Sequence, residues 1–281
     1  MLGDLGVIFS EFILSLYPIL IKIVPTNLDT QLLSRFGVFT LITLLFYGGQ
    51  SINIGKMFLY GAVTIFHVLA SYTAFSVLSA GTAMALFYTY PIMNIIAGYL
   101  FLNESISFNA FLFLAVGFVG TLILSQEIPN EEVRGEQPVV LPKHYAILAG
   151  LLAALSETIM FLVVRGTKSI NPIDSMIQLY PGALILFSLY LLLTKRVFSI
   201  DTNKKVWNNL TLFNILIGYV GYAIRFFSIN SVSTVTFSLL SFIGVLSSYI
   251  FGKIFVSESP SLKTYLGALL IALSASGITI I

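Results

Sequence analysis

The chain has 281 residues, of which 57% are hydrophobic and 9% are charged, and its mean hydropathy is +0.97. Soluble globular proteins carry about 25% charged residues, so this composition excludes a soluble domain and indicates an integral membrane protein. The formal net charge of +2 gives no reason to expect a nucleic-acid partner, and the absence of cysteine excludes disulfides, thiolate nucleophiles and thiolate metal sites.

Ten stretches of the chain are long and apolar enough to cross a bilayer as a helix, which takes about 20 residues. Short polar turns separate most of them, so consecutive helices are expected to run antiparallel. We therefore predict an all-α integral membrane fold with ten transmembrane helices. The predicted spans are 3–22, 32–47, 57–78, 83–102, 108–125, 145–164, 173–193, 210–229, 234–255 and 262–280.

One connection differs from the others, because residues 126–144 form a long, acidic segment that contains proline. We interpret it as a linker between a first five-helix repeat, residues 1–125, and a second, residues 145–281. The sequence LNESIS at 102–107 is echoed by VSESPS at 256–261, each between the fourth and fifth helix of its half. Because each half has an odd number of spans, the second half must be inverted, as in many secondary transporters.

Several short motifs carry a resemblance to a known family. They are Lys22 with Arg35, Tyr90-Pro91, Asn103-Glu104-Ser105 and Ser257-Glu258-Ser259. In this arrangement of two five-helix halves, they resemble the drug/metabolite transporter superfamily, specifically its EamA-type ten-helix members. The second half departs from the pattern, because Gln178 stands where an arginine is expected and no proline matches Pro91. The resemblance implies a secondary transporter that moves a small organic metabolite by alternating access.

Two glutamates lie deep inside predicted spans. We call the face that carries both termini side A and the opposite face side B. At about 1.5 Å of rise per residue, Glu11 and Glu157 both lie about 3 to 4 Å from the midplane toward side A. An intramembrane acid is costly and usually functional. Either each glutamate is permanently protonated and only hydrogen-bonded, or the two exchange protons for a cationic substrate. The resemblance favours exchange, since Glu11 looks like the first-helix glutamate of the small multidrug-resistance branch.

Arg225 is the basic residue placed well inside a predicted span, about 8 Å toward side A. It forms either a structural ion pair with a glutamate, or a bidentate site for a substrate carboxylate or phosphate. If it shares a cavity with the glutamates, a zwitterion fits best, which predicts an amino acid or a related amine as substrate. The alternative is a nucleotide sugar or phosphorylated metabolite, which needs more than one cation.

Other polar side chains lie in the third, fourth and eighth predicted spans. His67 is either a proton relay near neutral pH or a neutral hydrogen-bonding group. Tyr219, Tyr222 and Arg225 follow one another at intervals of three, so we expect them on one helical face, either lining a site for a flat substrate or packing as ordinary tyrosines. The further candidates for the substrate or proton site are therefore His67, Tyr90, Asn94, Tyr219 and Tyr222.

Lys22 and Arg35 lie near the side B ends of predicted spans. Charges there usually anchor a helix at the membrane surface. The resemblance implies an alternative in which the two residues form part of a gate. The orientation also has two readings, because side B carries more lysine and arginine than side A and would face the cytoplasm, whereas the resemblance implies cytoplasmic termini.

No catalytic or phosphate-binding motif occurs in the chain, including His-Glu-x-x-His, Gly-x-Ser-x-Gly and the Gly-rich phosphate loop. We predict a protein that is not an enzyme, apart from the remote alternative of an intramembrane enzyme, and that needs no cofactor or metal. The expected partners are a small-molecule substrate, the lipid bilayer and, if transport is coupled, protons, with no nucleic acid. The chain is expected to act as a monomer or homodimer within a membrane.

Overall fold

The computed structural model describes residues 1–24, 26–49, 52–125, 142–257 and 261–277. Within these ranges the chain is almost entirely helical and contains no strand. A 3-10 turn at Arg196–Ser199 and a π-helical stretch at Asn214–Tyr219 join the α-helices around them. The α-helices are α1 Leu2–Leu14, α2 Tyr17–Ile23, α3 Leu28–Leu45, α4 Ile54–Val77, α5 Ala80–Phe87, α6 Tyr90–Leu102, α7 Phe108–Ser125, α8 Lys143–Thr167, α9 Pro172–Leu193, α10 Lys204–Phe213, α11 Val220–Ser231, α12 Thr234–Ser241, α13 Ile243–Val256 and α14 Leu262–Ser276.

Eight helical runs in the described ranges are long and apolar enough to cross a membrane. Two shorter apolar helices, Phe108–Ile123 and Tyr265–Ser274, fall where the fifth and tenth spans were predicted. The prediction of an all-α, multi-pass membrane protein is therefore confirmed. The eight longer runs are Leu2–Ile23, Leu28–Leu45, Ile54–Val77, Ala80–Leu102, His144–Thr167, Pro172–Leu193, Lys204–Ser231 and Thr234–Val256.

Parts of the predicted repeat pattern lie outside the described residues. These parts are most of the linker, residues 126–141, and Glu258 in the second Ser-Glu-Ser turn. The end of the last predicted span, residues 278–280, also lies outside them. The division into two inverted repeats therefore stays a prediction.

Two spans are broken near their middle at a proline. α1 ends at Leu14 and α2 begins at Tyr17, with Pro18 in its first turn. α5 ends at Phe87 and α6 begins at Tyr90, with Pro91 in its first turn. Proline suits the first turn of a helix because its missing N–H has no intrahelical acceptor there. Both breaks thus follow directly from the sequence.

A third break, between α12 and α13, has no proline. It lies at Phe242, close to the region where the second half lacks a match for Pro91. The Val245 N–H donates to the Phe242 carbonyl at 3.1 Å, which makes a tight turn across the break. This span is therefore broken at Phe242 although it has no proline there.

Glycines allow α1 to pack closely against α11. A Cβ atom on Gly6 would lie 2.3 Å from Ser228 Oγ, and a Cβ on Gly221 would lie 2.7 Å from Leu14 Cδ2. An added methyl group at either position would force a neighbouring side chain to move, so glycine permits the close approach, as in small-residue contacts between membrane helices. This close approach brings the middle of α1, with its glutamate, against the middle of α11, with its arginine.

The distribution of polarity is that of a membrane protein. Large apolar side chains such as Leu45, Phe101 and Ile254 are exposed on the outside of the bundle. Ionisable side chains from α1, α3, α8 and α11 are instead buried inside it. Since lipid offers no hydrogen bonds, the polar chemistry is confined to the bundle interior.

Candidate functional site

An arginine joins two glutamates in the middle of the bundle. The Arg225 guanidinium donates from Nη1 to Glu11 Oε1, and from Nη2 and Nε to Glu157 Oε1 at 2.7 and 3.1 Å. All three side chains are buried. α1, α8 and α11 each contribute one residue, so this ion triad links helices far apart in sequence. The structure thus brings together the three charged residues that the sequence placed deepest.

Glu11 has three further hydroxyl groups within reach. The Tyr88 hydroxyl donates to Oε2, and the Tyr90 hydroxyl donates to Oε1 at 3.2 Å. The single hydrogen of the Ser241 hydroxyl is shared between the Phe237 carbonyl at 2.7 Å and Glu11 Oε1 at 3.3 Å. The donors come from the break between α5 and α6 and from the end of α12, so both helix breaks face Glu11.

Tyr90 was expected at this site from the sequence, whereas Tyr88 and Ser241 were not. Tyr88 lies in the helix break, where the regular helical spacing that groups side chains into faces no longer holds. Its ring fits against Gly244, since a Cβ there would lie 1.9 Å from the Tyr88 hydroxyl oxygen. Gly244 therefore makes room for a side chain that donates a hydrogen bond to Glu11.

His67 lies against the second glutamate. Its Nε2 is 3.3 Å from Glu157 Oε2, while Nδ1 is 3.2 Å from Ser156 Oγ and 3.3 Å from the Ala153 carbonyl oxygen. If Nδ1 carries the proton and donates to the carbonyl, the lone pair of Nε2 faces the carboxylate, so a hydrogen bond between Nε2 and Oε2 requires an additional proton. His67 is therefore in reach of the triad, as a relay requires.

Arg35 is buried inside the bundle and away from the end of its helix, which argues against its interpretation as a surface anchor. α3 begins at Leu28, which places Arg35 two turns inside the helix, and only 2% of its surface is exposed. Its guanidinium carbon lies 4.8 to 5.6 Å from the centres of four aromatic rings, those of Tyr17, Phe39, Tyr72 and Tyr222. Lys22, the second gate candidate, lies in the last turn of α2 and is partly exposed.

The remaining candidates lie outside the triad. Tyr222 packs on Arg35, and its ring and that of Tyr219 both contact Phe39, at 5.9 and 5.6 Å between centres. Tyr219 ends the π-helical stretch that precedes α11. Asn94 on α6 is fully buried, and neither of its side-chain polar atoms has a hydrogen-bond partner among the described residues. The tyrosines therefore extend toward Arg35 rather than toward the glutamates.

A small cavity lies between the triad and Arg35. Its volume is about 20 Å³, which is enough for a water molecule and far below the size of an organic metabolite. Charged groups lie at both ends, and apolar side chains lie between them. The lining residues are Glu11, Leu14, Tyr17, Arg35, His67, Ser71, Phe75, Met84, Phe87, Tyr88, Tyr222 and Arg225. A metabolite reaches these groups only if the helices move apart.

On side A, polar contacts tie three segments together. Arg165 near the end of α8 pairs with Glu104 at 3.1 Å and donates to the carbonyls of Ile229, in the last turn of α11, and Val232, just after it. The other carboxylate oxygen of Glu104 accepts the N–H of Thr234, at the start of α12, at 3.3 Å. Glu104, which the sequence places in a turn, therefore closes this end of the bundle.

Comparison with known proteins gives one family and a shared fold. The model of the EamA-like transporter family matches residues 1–126 and 144–280. A solved chain described only as "Crystal structure of protein" superposes with a TM-score of 0.72 at 13% sequence identity, covering 99% of this chain and 97% of its own length. At that identity the likeness shows the fold alone. No curated protein matches the chain.

Proposed function

Since the chain belongs to the EamA-like transporter family and is a multi-pass membrane transporter of the drug/metabolite superfamily, we propose that its substrate is a small zwitterion. An amino acid or a related amine is the class that fits best. Transport proceeds by alternating access between two inverted halves, residues 1–125 and 145–281. The substrate binds between the ion triad and Arg35.

The balance of buried charge carries this proposal. Among the described residues, the charged side chains that line the cavity are Glu11, Arg35 and Arg225, and Glu157 adjoins them through its ion pair with Arg225. With His67 neutral, their formal charges sum to zero. A net charge costs much free energy in a low-dielectric interior, so a cargo without net charge enters this site at the least cost. An amino acid meets that condition and also carries two charged ends for the site to recognise.

The contacts of Arg225 support a role for both glutamates in the exchange of protons for substrate. It occupies both carboxylates when no other cation is near, and a substrate ammonium group offers the same kind of N–H donor. Protonation of Glu11 removes one of the two charges that Arg225 pairs with and loosens the contact between α1 and α11. Because Glu11 lies in the first half and Arg225 in the second, a proton on Glu11 favours separation of the halves. His67 beside Glu157 provides a second position for a proton.

A second candidate, a carrier of phosphorylated metabolites or nucleotide sugars, gains support from Arg35. The sequence placed only Arg225 well inside a span, whereas such a carrier needs more than one cation. Arg35 is a second buried cation on the same cavity. A phosphate brings extra negative charge, so this reading requires that the glutamates bind protons when the substrate enters.

The experiment uses purified protein in liposomes with an imposed pH gradient. Uptake of L-leucine and 3-methylbutylamine is measured beside that of glucose 6-phosphate and UDP-glucose. We expect pH-driven leucine uptake that Glu11→Gln and Glu157→Gln reduce at least tenfold, while Asp4→Asn, which changes a partly exposed acid near the N-terminus, has no effect. Uptake of only the phosphorylated compounds would replace the first candidate by the second. Uptake of leucine that both glutamine variants leave unchanged would contradict the proton-coupled mechanism.

A further inference from the structure

Arg35 is a buried cation without an acid. No Asp or Glu among the described residues forms an ion pair with it, and its one hydrogen bond is a long contact from Nη1 to the Tyr72 hydroxyl at 3.4 Å. Its Nε and Nη2 have no hydrogen-bond partner among those residues. Arg225, by contrast, uses Nε, Nη1 and Nη2 on Glu11 and Glu157. Of the two deep arginines, Arg35 therefore has side-chain nitrogens without a hydrogen-bond partner among the described residues, whereas all three nitrogens of Arg225 are in use.

The donors that Arg35 leaves unused form one edge of the guanidinium. Nε and Nη2 lie side by side, and their parallel N–H bonds match the two oxygens of a carboxylate. The rings of Tyr17, Phe39, Tyr72 and Tyr222 surround the guanidinium and stabilise its charge. Such an arrangement holds the cation in place and keeps its hydrogen-bonding edge available.

A second unused donor lies on the same side of the cavity. The Tyr17 hydroxyl is buried and has no hydrogen-bond partner among the described residues, and Tyr17 lines the cavity together with Arg35. A buried hydroxyl without a partner is unfavourable, and so is a buried guanidinium edge. Both deficits are removed by one acceptor group with two oxygens.

We propose that Arg35 and Tyr17 form the subsite for the carboxylate end of the substrate. The ammonium end then faces Glu11, and the apolar part lies against Leu14 and Met84 between them. This inference rests on the proposed function and moves the carboxylate receptor from Arg225, where the sequence suggested it, to Arg35. Arg225 keeps the glutamates in place at the opposite end of the cavity.

Binding to purified protein in nanodiscs, measured by titration calorimetry, tests the subsite directly. The probes share one branched skeleton: L-leucine carries both charged groups, 4-methylpentanoate only the carboxylate, and 3-methylbutylamine only the ammonium. We expect Arg35→Gln to weaken binding of leucine and 4-methylpentanoate at least tenfold and to leave 3-methylbutylamine within twofold. Tyr17→Phe should weaken the two carboxylates about tenfold, which is a typical effect of one lost hydrogen bond to a charged group.

Two further variants separate recognition from structure. Arg35→Lys keeps the positive charge but loses the planar edge, so we expect an intermediate loss for the carboxylates only. Arg196→Gln removes an arginine that is half exposed outside the cavity, and should change none of the three affinities. A purely structural Arg35 predicts a lower melting temperature for Arg35→Gln, whereas removal of a buried charge without an acid predicts an equal or higher one. If Arg35→Gln does not fold, Arg35→Lys and Tyr17→Phe carry the test.

The results distinguish this subsite from the proposed function. Wild-type protein that binds 3-methylbutylamine but neither carboxylate would overturn the Arg35 subsite. Wild-type protein that binds 4-methylpentanoate through Arg35 but not 3-methylbutylamine would support the subsite and contradict the zwitterion as substrate. Equal losses for the amine and the carboxylates in Arg35→Lys would also overturn the subsite, because the defect would then be structural.

Discussion

Arg225 donates to a single oxygen of Glu157 from both Nη2, at 2.7 Å, and Nε, at 3.1 Å. The other oxygen, Oε2, faces His67. One carboxylate thus separates a permanent cation from a group that gains charge only when it is protonated. Glu157 is therefore the residue through which His67, a side chain that can bind a proton, contacts the ion triad.

Removal of Arg225 should destabilise the protein strongly. In Arg225→Gln, two buried carboxylates lose their shared cation, and breaking a buried pair in this way costs about 3–5 kcal/mol. We expect a clear fall in melting temperature, measured by scanning fluorimetry in detergent. The double variant Arg225→Gln with Glu157→Gln should recover part of the loss, because fewer charges are then left without a partner. A single variant as stable as the wild type would contradict a structural contribution of the triad.

Gly244→Ala should act through Tyr88. Its Cβ would lie 1.9 Å from the Tyr88 hydroxyl oxygen, so the ring must move away from Glu11. We expect Gly244→Ala to reduce leucine uptake about as much as Tyr88→Phe, and the double variant to be little worse than either single one.

The matched control for this prediction is Gly37→Ala. It also introduces a methyl group within a helix, but nothing lies within 4 Å of its Cβ position. Alanine is the better helix former, so uptake should be unchanged. Fully additive losses of leucine uptake for Gly244→Ala and Tyr88→Phe would show that Gly244→Ala does not act through Tyr88.

Gly6→Ala should weaken the contact between α1 and α11. The added Cβ would lie 2.3 Å from Ser228 Oγ, and separation of the two helices also separates Glu11 from Arg225. Overpacking of this kind typically costs about 1–3 kcal/mol. The fall in melting temperature should be partly reversed by Ser228→Ala, which removes the clashing oxygen. If Ser228→Ala does not raise the melting temperature of Gly6→Ala, the clash with the Ser228 hydroxyl is not the cause of the loss.

Glu104→Gln should open side A more often. The carboxylate pairs with Arg165 and accepts the N–H of Thr234, and a loss of about 1–2 kcal/mol from these contacts raises the open population about 5- to 30-fold. Because the chain has no cysteine, Ser71→Cys introduces a single thiol that lines the cavity. The rate of its modification by a water-soluble methanethiosulfonate should rise in the Glu104→Gln background.

A neighbouring acid gives the control for this measurement. Asp174 also lies at side A but hydrogen-bonds locally to Ser169 at 2.6 Å, so Asp174→Asn should leave the labelling rate unchanged. Equal rates in Glu104→Gln and the wild type would show that the Glu104 contacts do not close this side.

Much of the fold followed from patterns along the chain. The lengths of apolar segments predicted the spans, and the positions of Pro18 and Pro91 marked two helix breaks. Arithmetic on helical rise placed Glu11, Glu157 and Arg225 near enough in depth to meet, and the structure brings them together. Arg35 showed the limit of this approach, because its nearness to a predicted span end suggested the surface while its side chain points into the bundle.

The sequence by itself determined depth, because each residue of a spanning helix advances a constant distance along its axis. It therefore predicted which charged groups share a level in the membrane. The rotation of each helix and the choice of its neighbours belonged to the tertiary structure, since these depend on contacts such as that of Gly6 with Ser228 and of Tyr88 with Gly244. Only that packing decided that Arg225 is held by both glutamates and that Arg35, inside its ring of aromatic side chains, keeps donors to spare.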